Sequence, residues 1–168
     1  YINGHVTGNS PYLTFEWKAG KAGERHEVQT QLIGDYNFPN ALAAITIGHF
    51  FGVEAAKIDK ALHEYEPRNN RSQLKKTADN TLIIDAYNAN PTSMLAAISN
   101  FHNMQAGGKM LILGDMRELG KDSPGEHQKI VDCLEEYGFK DVALVGELFA
   151  ATRHTYPTYP DAPALIAE

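Results

Sequence analysis

Met110-Leu-Ile-Leu-Gly-Asp115 decides the fold class, because four apolar residues in a row end in a glycine and an acid. A short apolar run bounded by turn residues is typical of a β-strand. Val142-Ala-Leu-Val145 repeats the pattern, and Ser123-Pro-Gly-Glu126 has the form of a capping box that begins a helix between the two runs. Strand, helix and strand in this order predict a parallel βαβ unit.

The same alternation continues on both sides of this unit. Leu82-Ile-Ile84 predicts a further buried strand of the same sheet, and Asn90-Pro91 predicts the start of the helix that follows it. After Val145, a short helix, a strand near residues 156–159 and a helix beginning after Asp161 are expected. Since successive βα units connect by right-handed crossovers, the predicted fold class is α/β, with a mainly parallel, doubly wound sheet.

The first third of the chain has a different pattern. Tyr12–Trp17 and His26–Ile33 are rich in β-forming residues and predict a hairpin. A helix is expected to begin at Asn37 as its N-cap and to stop at Gly52. A second helix, apolar on one face, is expected to end at Pro67.

The polar stretch from Glu66 to Ser72 separates these two patterns and is the predicted domain boundary. Residues 1–67 then contain the hairpin and two helices, and residues 68–168 contain the doubly wound sheet.

Composition excludes several classes of function. The 168 residues are 43% hydrophobic, which is enough for a core, and the single cysteine, Cys133, excludes an internal disulfide and indicates a reducing, cytoplasmic location. The longest nearly apolar run, Ala41 to Val53, is too short to span a bilayer, so no membrane insertion is expected. A formal charge of −6 without a cluster of Lys or Arg argues against nucleic acid as a partner.

Acidic residues follow three predicted strands, at Asp85, Asp115 and Glu147, where ligands of such sheets bind. Near the first of them, Tyr87 could stack on a base or a sugar, and Asn88 could donate to a phosphate or carboxylate. The Asp85 carboxylate could bind a ribose hydroxyl. Polar residues are also ordinary in βα loops, so a binding role and a solvated loop both stay open.

The second loop, Leu113-Gly-Asp-Met-Arg-Glu-Leu-Gly120, places two acids around a base. Arg117 could hold a carboxylate with two parallel hydrogen bonds, while Asp115 or Glu118 could hold an ammonium group. Such a loop could bind a zwitterion. The alternative is a solvated turn with a local salt bridge.

Several other residues have ordinary interpretations. Asn37 caps a helix on one interpretation, but its amide or that of Asn40 could equally pair with a purine edge. Arg71 lies in the boundary stretch, where arginines are usually solvated. His127 is expected to be exposed rather than catalytic. The phenylalanines Phe50-Phe51 are expected in the core, as is Trp17.

Recognition motifs for metals and triphosphates are absent from the sequence. The histidines have no H-x-x-x-H spacing, so no metal site is predicted. Neither a P-loop nor a G-x-G-x-x-G motif occurs, so the chain contains no known cradle for a triphosphate.

Several motifs together resemble one family. Asp85-Ala-Tyr-Asn-Ala-Asn-Pro-Thr-Ser-Met94 and the loop from Leu113 to Gly120 are similar to those of the muramyl (Mur) ligases, in the branch that joins D-alanyl-D-alanine to UDP-N-acetylmuramoyl-tripeptide. The resemblance extends through Gly34–Ala44, Tyr65–Gln73 and Leu144–Phe149.

The resemblance implies a three-domain enzyme of peptidoglycan synthesis. One domain holds the UDP-sugar precursor, a central P-loop domain binds ATP with Mg²⁺, and a C-terminal Rossmann-like domain brings the incoming amine. Residues 1–67 would end the central domain, and residues 68–168 would form most of the C-terminal one. The P-loop, the carbamylated lysine and the magnesium ligands of the family are not in this chain, which is therefore expected to be inactive alone.

The resemblance also assigns roles to residues. Asn37 and Asn40 match asparagines near adenine, Arg71 and Asp85 match nucleotide contacts, and Tyr87 matches a position near the ribose and phosphates. The residues assigned to substrate binding are Asn88, Asp115, Arg117 and Glu118. No catalytic residue is assigned within this chain.

Other classes of function stay open. A folylpolyglutamate or cyanophycin synthetase uses the same chemistry, although its related loop generally carries histidine where this chain carries asparagine. A nucleotide- or peptide-binding module without catalysis is a second alternative. A flavodoxin-like signalling domain would not explain the motifs before Pro67.

Overall fold

The computed structural model describes residues 1–68 and 70–167, which form two compact units, Tyr1–Tyr87 and Asn88–Glu168. Asn69, which falls in the predicted boundary stretch, lies outside the described residues. Within the described ranges, no helix is long and apolar enough to cross a membrane.

An antiparallel sheet and two helices form most of the first unit. The strands, in spatial order, are β1 (Ile2–Asn9), β2 (Tyr12–Ala19) and β3 (His26–Ile33). The helices are α1 (Phe38–Phe50) and α2 (Ala55–Glu64). Pairing of β2 with β3 confirms the predicted hairpin, whereas β1 was not predicted.

The core of the first unit follows from the period of two in β2. Leu13, Phe15 and Trp17 alternate with more exposed residues and are buried against helix α1, which contributes Ala41 and Ile45. The prediction that Trp17 is a core residue is confirmed.

The prediction that Phe50 and Phe51 are core residues is wrong, since they are 81% and 76% exposed and pack edge to face on each other. The buried stripe of α1 runs through Ala41 and Ile45, and Gly48 continues it against Ile58 of α2. The two phenylalanines lie at the end of the helix, outside that stripe.

Strand β5 (Thr81–Ile84) exists as predicted but belongs to a different sheet. It pairs antiparallel with β4 (Gln73–Lys76) in a two-stranded sheet. Thr77 and Asn80 close the connection with backbone and side-chain hydrogen bonds of 2.8 to 3.0 Å. The prediction of a fully buried parallel strand is wrong here, because this local turn joins β5 to its neighbour in sequence and leaves Leu82 42% exposed.

Strands and helices alternate in the second unit. The strands are β6 (Met110–Gly114), β7 (Asp141–Val145) and β8 (Thr158–Tyr159). The helices are α3 (Pro91–Asn103), α4 (Ser123–Glu136), α5 (Glu147–Ala150) and α6 (Ala162–Ile166). All three strands are parallel in the order β6-β7-β8, which confirms the predicted α/β class and the parallel βαβ unit.

Apolar residues of β7 and of the flanking helices form the core of this unit. Ile98 of α3, Ile130 and Leu134 of α4, Leu144 of β7 and Phe149 of α5 are each at most 1% exposed. The apolar run of β7 thus lies in the core, whereas Met110 and Ile112 of β6 are each 58% exposed and only Leu111 and Leu113 of that strand pack against it.

Two helix starts in this unit differ in how they are capped. The side chain of Asn90 accepts a hydrogen bond from the Ser93 amide at 3.0 Å and caps α3 as predicted. The capping box predicted at Ser123 is wrong, because a 3-10 turn, Gly120–Asp122, leads into α4 and makes Ser123 its first residue.

Candidate functional site

An apolar cleft of about 540 Å³ lies in the first unit, between α1, α2 and the segment around Pro67. Ala44 and Leu62 contribute to its apolar walls, while Asn37, Asn40 and Arg71 bring polar groups to it. Pockets for small molecules are typically of this size, with mainly apolar walls and a few polar groups. Three residues that the sequence analysis linked to a nucleotide therefore share one cleft.

The two asparagines at this cleft are held by hydrogen bonds near the start of α1. Asn37 occupies the N-cap position as predicted, but its side chain makes no capping bond. Its Nδ2 donates to the Ile33 carbonyl at 2.9 Å, and Asn40 Nδ2 donates to Asn37 Oδ1 at 3.3 Å. The Asn37 side chain therefore does not cap α1 but bonds to Ile33 and Asn40.

A chain of hydroxyl groups connects the cleft to Asp85. Ser72 Oγ, at the wall of the cleft, donates to Asp85 Oδ2 at 3.3 Å and accepts from the Tyr36 hydroxyl at 2.9 Å. Burial raises the pKa of Tyr36, the charges of Asp85 and Asp35 raise it further, and the Ser72 hydrogen bond opposes them, so the phenol keeps its proton to donate.

The backbone around Ser72 is strained. Asn70 and Ser72 have φ values of 52° and 45°, a conformation that costs a residue other than glycine of order 1 kcal/mol or more. Ser72 is only 6% exposed, and the Asn70 carbonyl accepts the Ala86 amide at 2.8 Å. Strain of this kind accumulates at functional sites.

Arg71 and Tyr87 complete this group of residues. The guanidinium carbon of Arg71 lies 3.8 Å from the centre of the Tyr87 ring, a cation–π contact. The structure thus brings together all five residues assigned to the nucleotide: three line the cleft, Asp85 is bonded to Ser72, and Tyr87 stacks on Arg71. Sequence reasoning missed Tyr36 and Ser72, although both fall in motifs that it singled out.

In the second unit, the Asp115 carboxylate binds the chain's own backbone. Its oxygens accept the amides of Leu148 and Phe149 at 3.1 and 3.0 Å, in the first turn of α5, and its side chain is 8% exposed. The Asp115 amide donates to the Val145 carbonyl at 3.1 Å. The loops that follow β6 and β7 are therefore joined at this residue.

The residues after Asp115 point their charges outward. Arg117 and Glu118 are exposed, and so is Asn88 at the start of the second unit. Met116, between Asp115 and Arg117 in the sequence, is 0% exposed and anchors the loop in the core. The loop therefore presents one cation and one anion on a fixed base.

The prediction that His127 is exposed is wrong, because the imidazole is completely buried. Its Nε2 accepts the Met116 amide at 3.0 Å, and its Nδ1 donates to the Ser123 carbonyl at 2.7 Å. His127 shares the helical spacing of Ile130 and Leu134, and this periodicity was the signal that could have predicted its burial.

Gly146 is required where the two loops meet. It has φ +118°, and a Cβ at this position would collide with the Asp115 carboxylate. We expect Gly146→Ala to lower the free energy of unfolding by about 2 to 5 kcal/mol, because strain and steric overlap add. Urea unfolding followed by circular dichroism measures the change.

The matched control is Gly125→Ala. Gly125 lies in α4 with open space around its Cα, so alanine there should be neutral or stabilise the helix by up to about 1 kcal/mol. Equal effects of the two substitutions would contradict the contact between Gly146 and Asp115.

No group of three or more His, Cys, Asp or Glu side chains in the described part of the chain is arranged to hold a metal ion.

Comparison with known proteins decides the family. The sequence model described as "Mur ligase, glutamate ligase domain" matches residues 70–158. The chain belongs to the Mur ligase family. It is 45% identical over 91 residues to the UDP-N-acetylmuramoyl-tripeptide--D-alanyl-D-alanine ligase of Bacillus subtilis (strain 168), covering 53% of this chain and 20% of that protein. With the ligase of the same name from Escherichia coli (strain K12), it shares 32% identity over 146 residues, covering 86% of this chain and 31% of that protein.

Solved structures of Mur ligases have the same fold. MurF from Acinetobacter baumannii matches with a TM-score of 0.78 and 30% identity, over 88% of this chain and 32% of that one. MurF from Thermotoga maritima in complex with ADP matches over 94% of this chain and 37% of that one, with a TM-score of 0.78 and 16% identity. A folylpolyglutamate synthase from Thermotoga maritima matches over 95% of this chain and 44% of that one, with a TM-score of 0.58 and 14% identity. The last two similarities concern the fold alone.

Proposed function

We propose that this chain is part of a cytoplasmic, ATP-dependent ligase that joins D-alanyl-D-alanine to UDP-N-acetylmuramoyl-tripeptide in peptidoglycan synthesis. The observation that carries the proposal is the grouping of five residues in and beside one cleft: Asn37, Asn40, Arg71, Asp85 and Tyr87. The chain is a Mur ligase chain and is similar in sequence to UDP-N-acetylmuramoyl-tripeptide--D-alanyl-D-alanine ligases.

The cleft is suited to a purine nucleoside. Its apolar walls can cover the base, and the amides of Asn37 and Asn40 can pair with the edge of the ring. Asp85 can accept from a ribose hydroxyl, and the guanidinium of Arg71 can bind a phosphate. We therefore assign the adenine and ribose of ATP to this unit.

Mg²⁺ and the phosphate contacts other than that of Arg71 are assigned elsewhere. The described residues contain no group of three or more His, Cys, Asp or Glu side chains that could hold a metal ion, and the sequence has no P-loop. A Mg²⁺ ion bound with ATP would neutralise phosphate charge during transfer. In our proposal it is held by other residues of the longer protein.

The loop between Asp115 and Gly120 is assigned to the dipeptide. D-Alanyl-D-alanine carries one carboxylate and one ammonium group at neutral pH. Arg117 is exposed and can bind that carboxylate with two parallel hydrogen bonds, while Glu118 can attract the ammonium group. Asn88 remains in the proposed substrate site. We give Asp115 the role of fixing the loop, because its carboxylate already accepts two amides.

The reaction proposed for the longer protein has two steps. A carboxylate oxygen of the tripeptide attacks the γ-phosphorus of ATP, which forms an acyl phosphate and releases ADP. The amine of the dipeptide, as the neutral base, then attacks the acyl carbon, the carbon–oxygen bond to phosphate breaks, and an amide, inorganic phosphate and a proton result. Activation is needed because a carboxylate is a poor electrophile.

The proposed domain boundary stays near residue 67. Residues 1–67 are assigned to the central ATPase domain and 68–168 to the C-terminal domain. The start of the family match at residue 70 supports this division, although the compact units divide after Tyr87.

The chain of 168 residues by itself is expected to have no ligase activity and to bind ATP weakly. The reason is that, beyond base and ribose contacts, it contributes only Arg71 to the phosphates, whereas charge-assisted hydrogen bonds to phosphate are among the strong ones. Isothermal titration of the purified chain with ATP measures this. Submicromolar binding would contradict the division of the site that we propose.

The choice of acceptor separates the two ligase hypotheses. The longer protein that contains this chain should convert UDP-N-acetylmuramoyl-tripeptide and D-alanyl-D-alanine to a product larger by the dipeptide minus water, as detected by mass spectrometry. The alternative, a folylpolyglutamate synthase, is supported only by a fold similarity with a TM-score of 0.58, against 0.78 for MurF. Glutamate addition to a folate, with no reaction of the dipeptide, would establish that alternative.

A further inference from the structure

We propose that His127 is a positioning residue for the dipeptide site, because its buried imidazole holds the segment that carries Arg117 and Glu118. The inference rests on the proposed function of that segment. His127 itself touches no substrate, since it is completely buried.

Nε2 of His127 ties the start of the segment to helix α4, and Nδ1 bonds within the first turn of that helix. Nε2 accepts the Met116 amide at 3.0 Å, so this nitrogen carries no proton, and the proton on Nδ1 is donated to the Ser123 carbonyl at 2.7 Å. Six residues lie between these two anchors in the sequence. One neutral tautomer thus joins Met116, near the start of the proposed dipeptide loop, to α4, the helix that follows the loop.

The surroundings of the ring also hold it in place. The ring packs edge to face on Phe149, with centroids 4.7 Å apart. Asp115 Oδ1 is 4.0 Å from Nε2, but that carboxylate is occupied by the amides of Leu148 and Phe149. His127 therefore holds Met116, and Asp115 is held by the amides of Leu148 and Phe149. These two contacts position the backbone that carries Arg117 and Glu118.

A residue with this role should affect one substrate and not the other. In the full-length ligase, His127→Leu fills similar space but leaves the Met116 amide without its acceptor. We expect the KM for D-alanyl-D-alanine to rise about tenfold or more, because small displacements of substrate-positioning groups are costly. The KM for ATP should stay within about twofold, since the nucleotide residues lie in the other unit.

Rescue and stability controls separate positioning from general damage. His127→Gln places an amide oxygen where Nε2 accepts the Met116 amide, so it should restore most of the affinity for the dipeptide. Leu134→Ala weakens the same core from the same helix without touching the loop. It should lower the melting temperature without the selective rise in the KM for the dipeptide. If His127→Leu and Leu134→Ala change both KM values alike, the inference is wrong.

Hydrogen exchange distinguishes failure of this inference from failure of the proposed function. Without substrates, amides from Met116 to Asp122 should exchange faster in His127→Leu than in the wild type. Unchanged exchange would overturn the positioning role, whatever the kinetics show. Faster exchange with an unchanged KM for the dipeptide would also overturn it. An accompanying lack of effect of Arg117→Ala would then place the error in the assignment of the loop to the dipeptide.

Discussion

Asp85→Ala in the full-length ligase is expected to raise the KM for ATP by about 10- to 100-fold, the range that follows from losing a hydrogen bond to a charged group. Asp85 is exposed and is hydrogen-bonded to Ser72, which lines the apolar cleft together with Arg71, and its carboxylate can accept from the ribose. The KM for D-alanyl-D-alanine should change little. Steady-state phosphate release at varied ATP concentration measures the effect.

Ser72→Ala is the matched control for this substitution. It removes the hydrogen bonds of 3.3 Å to Asp85 and 2.9 Å from Tyr36, but keeps the carboxylate and leaves the left-handed backbone at residue 72 equally strained. We expect a change in the KM for ATP of less than about fivefold, typical of a lost neutral donor. If Ser72→Ala equals Asp85→Ala, the carboxylate acts through local structure and does not bind the nucleotide.

Arg117→Ala is expected to raise the KM for D-alanyl-D-alanine by about 10- to 100-fold, because it removes a charge-assisted, bidentate contact with the dipeptide carboxylate. The side chain is exposed and forms no ion pair shorter than 4.0 Å among those described, so its removal should not destabilise the fold. Arg117→Lys should give an intermediate value, since an ammonium group keeps the charge but not the fork of donors.

Lys121→Ala is the control for charge alone. Lys121 is an exposed cation of the same segment, in the 3-10 turn before α4. Its removal should leave the KM for the dipeptide within about twofold, as for an exposed surface charge. An unchanged KM in Arg117→Ala would remove Arg117 from the dipeptide site.

The parallel strands could be predicted from sequence because their signal is local. The apolar runs Met110–Leu113 and Val142–Val145 predict strands from adjacent residues alone, and β6 and β7 formed where they were expected. The same reasoning failed for Leu82–Ile84. An apolar run shows that a strand exists but does not name its partner, and a four-residue connection to Gln73–Lys76 determined the pairing.

The sequence identified most residues of the candidate site, but it did not predict the contacts between them. The five nucleotide-linked side chains share one unit, but the hydroxyl chain through Tyr36 and Ser72 depends on residues 36 apart in sequence. No local pattern encodes such a contact. The contacts of Asp115 could not be predicted either, because the amides of residues 148 and 149 approach its carboxylate only when β6 and β7 lie side by side.

The most direct test of the account is phosphate release by the full-length protein in reactions that omit one substrate at a time. With ATP, UDP-N-acetylmuramoyl-tripeptide and D-alanyl-D-alanine all present, we expect sustained release of inorganic phosphate. Omission of either the tripeptide precursor or the dipeptide should reduce it to background. Phosphate release that proceeds without the dipeptide, or that requires a different amine in its place, would contradict the assignment of this chain to a D-alanyl-D-alanine ligase.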